Sequence, residues 1–330
     1  MIILSVESSC DDTSIAITKG RQVLSLKTAS QIEEHKLYGG VVPEIASRRH
    51  LESIYSLLEL AIKEAKIDIK DINAVAVTNR PGLIGALLVG VNFAKGLAAK
   101  LEVPLIPVHH LRAHIAAAYI SNEQLKPPFL CLLVSGGNTV IAEVTDYNRY
   151  NIIGATRDDA AGECFDKAAR AMGLDYPGGV LLDKIATVPS FSDYPLPIPQ
   201  IDGNELDFSF SGLKTAVINL LHNSAQKGTE VDIPVLAATL RKRVCDILIN
   251  HLLKAAEKTG HKRLVLAGGV SANSELRREF LKLEEKGFEV YLPELKYCGD
   301  NAAMLGVAAS FEEKRAGLEL NAYATMEIDS

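Results

Sequence analysis

Cysteine pairing is missing from this 330-residue chain: Cys10, Cys131, Cys164, Cys245 and Cys298 are odd in number, scattered and never spaced C-x-x-C. Neither a disulfide framework nor a thiolate zinc site is suggested. The opening MIILSVESSCDD reaches carboxylates after a few apolar residues and lacks the basic start and long apolar stretch of a signal peptide. No uninterrupted apolar run approaches the length of a membrane span, so the sequence predicts a cytoplasmic protein without a membrane partner. There is no basic excess either. Thirty-five Lys and Arg stand against forty-one Asp and Glu, a net charge of −6. Contact with nucleic acid must therefore rest on a local patch or a partner subunit, because the overall field repels phosphate. The basic runs Lys36, Arg48, Arg49, His50 and Arg241, Lys242, Arg243 are short, as on solvated helix faces.

What is present is a globular composition, 48 % hydrophobic and 23 % charged, over a length that suits two domains. The chain repeats one plan. Met1–Ser5, Ser14–Thr18 and Gln22–Lys27 read as short strands, and Pro43–Lys66 has the apolar spacing of an amphipathic helix. The strand Ala74–Thr78 enters NRPGLIG and the helix Ala86–Lys100. Strand Pro104–Val108 then runs into histidines and a helix near Ile115–Ile120. In the second half Phe129–Val134, Thr139–Val144 and Tyr150–Ile153 are strands, and Gly162–Met172 is a helix. Arg263–Ala267 enters GGVSAN and the helix Ser274–Leu283. Phe288–Leu292 leads through Gly299-Asp300 into the helix Ala302–Lys314. An insertion from Gly173 to Gly260 interrupts this second series.

Three strands, a helix and two strand–helix steps are the order of a ribonuclease-H-like unit. The expectation is an α/β protein of two tandem such lobes, as in actin, Hsp70 and sugar kinases, with a ligand cleft between them. The lobes are drawn at 1–128 and 129–330, with a largely helical insertion at 173–260. A single doubly wound sheet is the plainer alternative, but it does not require both halves to start with a polar hairpin turn.

In VHHLRAH, His110 and His114 stand four apart at a helix start and so share one face, a spacing that suits two imidazoles on one ion. His109 would point away from the pair. A lone pair could equally satisfy helix-start backbone groups. Asp300 occupies the corresponding point of the second series, and a pseudo-twofold relation would bring it across the cleft to complete a two-histidine-one-acid site. Iron, zinc and manganese all fit. Leu111 stands where the zinc-peptidase motif H-E-x-x-H needs glutamate, which argues against hydrolysis by that route.

Glycine turns stand at three expected strand ends facing the presumed cleft: Ser135-Gly136-Gly137-Asn138, Pro177-Gly178-Gly179 and Gly268-Gly269-Val270. Successive amides there can cradle an anion, and at Gly268–Asn273 the loop is expected to open directly into a helix whose first amides favour phosphate. Asp11 and Asp12 in the first turn, Asp166 in GECFDK and Asp183 are acids suited to a ribose, a metal-bound water or a base, although each could simply cap or be solvated.

Taken in order, ESSCDDTSIAI, HKLYGGVVPEIASRRH, PGLIGALLVG, PVHHLRAH, VSGGNT, GECFDKAARAMGLDYPGG, FSFSGLKTA, AGGVSAN and GDNAAM resemble the universal tRNA threonylcarbamoyladenosine transferase family nearly end to end. The resemblance implies transfer of threonylcarbamoyl from threonylcarbamoyl-AMP to N6 of the adenosine 3′ of the anticodon in tRNAs decoding ANN codons. It implies a divalent metal, described as iron with zinc also compatible, on His110, His114 and Asp300. Val134, Ser135, Gly136, Gly137 and Asn138 match the substrate loop, with Asp166, Gly179, Asp183 and Asn273 as further nucleotide contacts. Asp11 and Asp12 are the candidates to orient substrate or receive the amine proton. The partners implied are tRNA, a catalytically silent paralogue (TsaB type) and a P-loop ATPase (TsaE type). Asn138 replaces a more usual histidine and Ala113 a more usual glycine. The competing classes are an ATP-dependent kinase or chaperone ATPase of the same architecture, a metallopeptidase, and a non-enzymatic paralogue without the metal residues.

Overall fold

The structure is a computed structural model that describes residues 1–186, 194–199 and 201–328. Its first half contains β1 (Ile2–Glu7), β2 (Asp12–Lys19), β3 (Gln22–Ser30), α1 (Ile32–Lys36), α2 (Pro43–Ala65), β4 (Ala74–Arg80), α3 (Ile84–Leu101), β5 (Leu105–His109) and α4 (His110–Ser121). The second contains β6 (Phe129–Val134), β7 (Thr139–Asp146), β8 (Arg149–Ala155), α5 (Ala161–Ala171), α6 (Gly178–Ile185), α7 (Ser211–Lys227), α8 (Ile233–Thr259), β9 (Arg263–Ala267), α9 (Ser274–Leu281), β10 (Glu289–Tyr291) and α10 (Ala302–Phe311).

Two five-stranded sheets result, ordered β3-β2-β1-β4-β5 and β10-β9-β6-β7-β8. Read from the hairpin edge they are the same sheet twice. In each, an antiparallel pair (β1 with β2, β6 with β7) is extended by a parallel partner (β4 on β1, β9 on β6). The duplicated α/β architecture is thus present in the backbone pairing. Between Gly173 and Gly260 the described residues include the helices α6, α7 and α8.

The chain divides into two compact units, Met1–Lys126 with Asp146–Arg149 and Pro293–Ser330, and Pro127–Thr145 with Tyr150–Leu292. The lobe drawn at 129–330 therefore differs from the observed grouping at its C-terminal end. The reason is packing. Helix α10 is apolar all round, and Ala302, Ala303, Met304, Leu305 and Ala309 join a core with Ile3, Ala16, Ala76, Ile106 and Ala117 of the first unit. Beyond α10 the chain keeps to that unit. Ala316 N–H donates to Leu105 at 2.9 Å, Tyr323 N–H to Asn79 at 2.9 Å, and Arg112 Nε to Ile328 at 2.7 Å, all on backbone carbonyls.

On its other face the first sheet carries α2 and α3. Ile54, Leu57, Leu58 and Ala61 of α2 pack with Leu87, Val91 and Ala94 of α3 over Leu4, Val6, Val75 and Val77. Each such Leu or Ile contributes on the order of 1.5–3 kcal/mol by leaving water. By length and composition α3 is apolar enough to cross a membrane, but Asn92 and Lys95 interrupt its apolar run, and its buried face belongs to the core just described.

Candidate metal centre and glycine loops

The polar groups of the first unit gather at the C-terminal ends of β1 and β5. Strand β5 ends at His109, whose Nδ1 accepts from Leu111 N–H at 3.2 Å and so caps α4, while its Nε2 lies 3.2 Å from the carbonyl of Met326. Burial pushes His109 down to about 3. It is a neutral capping residue at the strand end, not a helical position as the sequence spacing assumed.

One turn along, the ring centroids of His110 and His114 are 4.6 Å apart. The Oδ1 atom of Asp300 lies 3.4 Å from His110 Nε2 and 3.1 Å from His114 Nε2. One ligand atom from each of the three residues falls within 4.8 Å of the others. Two donors at about 2.1 Å from a tetrahedral ion stand about 3.4 Å apart, so these separations suit a shared cation. His114 is 1 % exposed, and neither of its ring nitrogens has a partner in hydrogen-bond geometry. A buried imidazole left so is costly unless something else takes its lone pair. The donor set fits a divalent metal. All three residues belong to the first unit, so the expectation of an aspartate reaching in from a second lobe is corrected by the packing of α10.

The electrostatics follow from the geometry. Burial opposes charge on His110, but Asp300 and Glu7 outweigh it and hold the imidazole well above its ordinary value. Burial likewise opposes charge on Asp300 and on Glu7, and the adjacent His110 overcomes it, lowering both. Asp12, at the start of β2, has no such cation. Burial raises its carboxyl to about 7 despite a hydrogen bond from Ser30. Asp11 precedes it in the same turn.

Sequence reasoning missed the residues behind His110. Glu7 and Ser9 stand at its Nδ1 and Thr78 holds Glu7 from behind, and the signal was available: a carboxylate closing IILSVE, an otherwise buried strand.

In the second unit the glycine loops converge. Gly268 (φ +88°) lies against the backbone of Val134, where a Cβ would collide with the carbonyl oxygen. A Cβ on Gly162, at the start of α5, would meet the Ser135 carbonyl at 2.5 Å. Within the SGGN turn, Ser135 N–H donates to the Asn138 carbonyl at 2.8 Å, and Asn138 N–H to Ser135 Oγ at 3.1 Å. Gly136 and Gly137 stay exposed with open space around them. Asp166 of α5 and Gly179 of the next helix meet: Gly179 N–H donates to Asp166 Oδ1 at 2.7 Å.

The first amides of α9 are not open to an anion as the sequence suggested. Asn273 Oδ1 accepts from Leu276 N–H at 3.0 Å, and Asp183 Oδ2 from Ser274 N–H at 2.9 Å. Arg241 Nη1 reaches Asp183 Oδ1 at 2.8 Å. Side chains already fill the positions that would favour phosphate. Of the basic runs, Arg48 pairs with Glu44, Arg49 with Glu34 and Glu52, and Lys242 with Asp246.

Two ribonuclease-H-like units give this chain the fold of the actin, Hsp70 and sugar-kinase type, with a two-histidine-one-aspartate group in the first unit. Solved structures share this fold. One is full-length HypF in its phosphate- and nucleotide-bound form (TM-score 0.61, 18 % identical, covering 94 % of this chain and 46 % of that one). Another is component A of the (R)-2-hydroxyglutaryl-CoA dehydratase of Acidaminococcus fermentans (TM-score 0.51, 15 % identical, covering 94 % and 95 %). Sequence goes further. The model of the family "TsaD: tRNA N6-adenosine threonylcarbamoyltransferase" matches residues 22–307, and the chain belongs to that family. It is similar to the tRNA N6-adenosine threonylcarbamoyltransferase of Clostridium botulinum strain 657, 47 % identical over 331 residues, 99 % of this chain and 97 % of that one. It is also similar to that of Clostridium perfringens strain SM101, 48 % identical over 313 residues, 94 % and 92 %. Its activity is the acyl transfer of a threonylcarbamoyl group to N6 of a tRNA adenosine.

Proposed function

We propose that the first unit holds one divalent ion, Fe2+ or Zn2+, through His110, His114 and Asp300. The ion assists transfer from threonylcarbamoyl-AMP to the adenosine 3′ of the anticodon in tRNAs reading ANN codons. The observation that carries this reading is the set of three ligand atoms within 4.8 Å, with Asp300 Oδ1 3.1 Å from the Nε2 of buried His114.

When bound, such an ion supplies Lewis-acid polarisation and neutralises charge on the leaving adenylate. The residues do the rest. His110 and His114 present donors from one face of α4 and Asp300 from the bend before α10, and three protein ligands would leave positions open to substrate oxygen. The exposed Gly136 and Gly137 admit close approach of a phosphate to their amides, between Val134 and the turn partners Ser135 and Asn138. Asp166, Gly179, Asp183 and Asn273 frame the nucleotide side. Of the turn acids Asp11 and Asp12, the second has a carboxyl raised to about 7, suited to receive the amine proton near neutral pH. Cytoplasmic location, a silent paralogue and a P-loop ATPase complete the reading.

The test is mass spectrometry of digested tRNA after incubation with threonylcarbamoyl-AMP and the partners. The wild-type chain should form threonylcarbamoyladenosine, and His110→Ala should lose both the modification and the metal. A His110→Ala chain with full metal content and wild-type yield overturns the metal assignment.

A further inference from the structure

Behind the metal-ligand candidates lies a carboxylate with no exposure at all. Glu7, the last residue of β1, is 0 % exposed. Its Oε1 accepts from Ser9 N–H at 2.6 Å. Its Oε2 accepts from Thr78 Oγ at 2.7 Å and lies 3.2 Å from His110 Nδ1. Ser9 Oγ also stands 3.2 Å from that nitrogen. Every neighbour with a fixed role is a donor to Glu7.

We infer that Glu7 is the positioning residue of the metal centre, fixing His110 in the tautomer whose Nδ1 carries the proton and whose Nε2 is free to bind the ion. The inference rests on the metal reading above. Its physical basis is that a carboxylate only accepts. Held by Ser9 N–H and Thr78, Glu7 turns one more acceptor towards the ring, and an Nδ1–H satisfies it. The lone pair is then on Nε2, the atom that points at Asp300. Imidazole ligands commonly have such an acceptor on the far nitrogen, which sets the ring's rotation and raises its basicity. The strand contributes rigidity: β1 pairs with β2 on one side and β4 on the other, so the carboxylate is aimed from the centre of the sheet.

Glutamine at this position has nearly the same shape but the wrong polarity. If its oxygen keeps the short bond from Ser9 N–H, its amide N–H groups face Thr78 and His110. The ring then accepts at Nδ1 and carries its proton on Nε2, where no ion can bind.

The test uses the full-length, metal-free chain, titrated with Co2+ and followed by visible absorption, with thermal unfolding as a control on the fold. Glu7→Gln should keep its circular dichroism spectrum, bind Co2+ tenfold to a hundredfold more weakly than wild type, and shift the cobalt bands. A Glu7→Gln chain with affinity within twofold of wild type and an identical spectrum overturns the inference and leaves the metal reading standing. A wild-type chain that takes up no cobalt overturns both. Should Glu7→Gln fail to fold, the 15N spectrum of the wild-type chain loaded with Zn2+ decides, with His110→Ala as the assignment control. A protonated Nδ1 and metal-bound Nε2 on His110 support the role, and a metal-bound Nδ1 overturns it.

Discussion

Ser5 Oγ donates to the main-chain carbonyl of Ala302 at 2.6 Å, joining residues 297 apart in sequence. Next to it, Ser14 Oγ accepts from Ala302 N–H at 3.0 Å. The first residue of α10 is thus held at both backbone groups by buried serines of β1 and β2, and Asp300 lies two residues before it. The anchor turns the hairpin of the first unit into the platform for the third metal-ligand candidate.

Removing one hydroxyl should be felt at both ends of this relation. Ser14→Ala leaves the buried Ala302 amide unpaired and is expected to cost about 1–3 kcal/mol of stability. Metal retention should weaken as the approach to Asp300 loosens. Urea unfolding and metal content of the same preparation check this, and a variant as stable and as metal-loaded as wild type contradicts the anchor.

Gly268→Ala should be among the most damaging single-methyl substitutions in the second unit. The residue has φ +88°, and its Cβ would press on the Val134 carbonyl in the middle of the glycine turns. Backbone strain and collision together predict a loss of at least about 2 kcal/mol, measured by thermal unfolding. Gly136→Ala, with open space around it, is the matched control and should change stability far less.

Asp12 gives a pH signature. Its carboxyl moves from an ordinary 3.8 to about 7, chiefly through burial. Between those values the folded chain keeps a proton that the unfolded chain has released, so this residue's contribution to stability falls as pH rises through the window. Asparagine has no such titration. In the metal-free protein, Asp12→Asn should gain stability relative to wild type from about pH 4 to about pH 7 and hold level above. A difference independent of pH would show that the carboxyl is not so raised. Single-turnover transfer by Asp11→Asn and Asp12→Asn is the companion assay; unchanged rates in both remove these acids from the chemistry.

Arg241 ties α8 to α6 and α9. It contacts Asp183 at 2.8 Å and Glu275 at 3.8 Å, and both acids are largely shielded from water. Arg241→Met would leave Asp183 without its cation, while Glu275 keeps Arg278 at 2.6 Å, at a cost of about 2–4 kcal/mol. Because Asp183 also holds Ser274, steady-state transfer to tRNA should show a raised KM for threonylcarbamoyl-AMP. An unaltered melting temperature would contradict the linking role.

Much of this was legible in the sequence, for identifiable reasons. Strand pairs such as Phe129–Val134 with Thr139–Val144 announce themselves by short β-rich runs around a glycine turn, and Arg263–Ala267 appears with the very ends predicted. His110 and His114 are legible because helical spacing is local. Glu7 was not, since one strand cannot disclose what stands behind it in three dimensions. Nor was the home of α10: its apolar circumference says that it is buried, and only packing against Ile3, Ala16 and Ala117 says where. Asp183 and Asn273 were expected at the nucleotide. Their capping of α9 depends on a contact between α6 and α9 that spacing alone does not encode.

Whether the three ligand candidates grip one ion is settled best by metal content per chain. Elemental analysis after anaerobic purification would compare wild type with Asp300→Ala, side by side with single-turnover transfer to tRNA. Wild type should carry close to one divalent ion. Asp300→Ala should lose ion and transfer together, with the fold retained. An Asp300→Ala chain that keeps its full complement of metal would contradict the shared site.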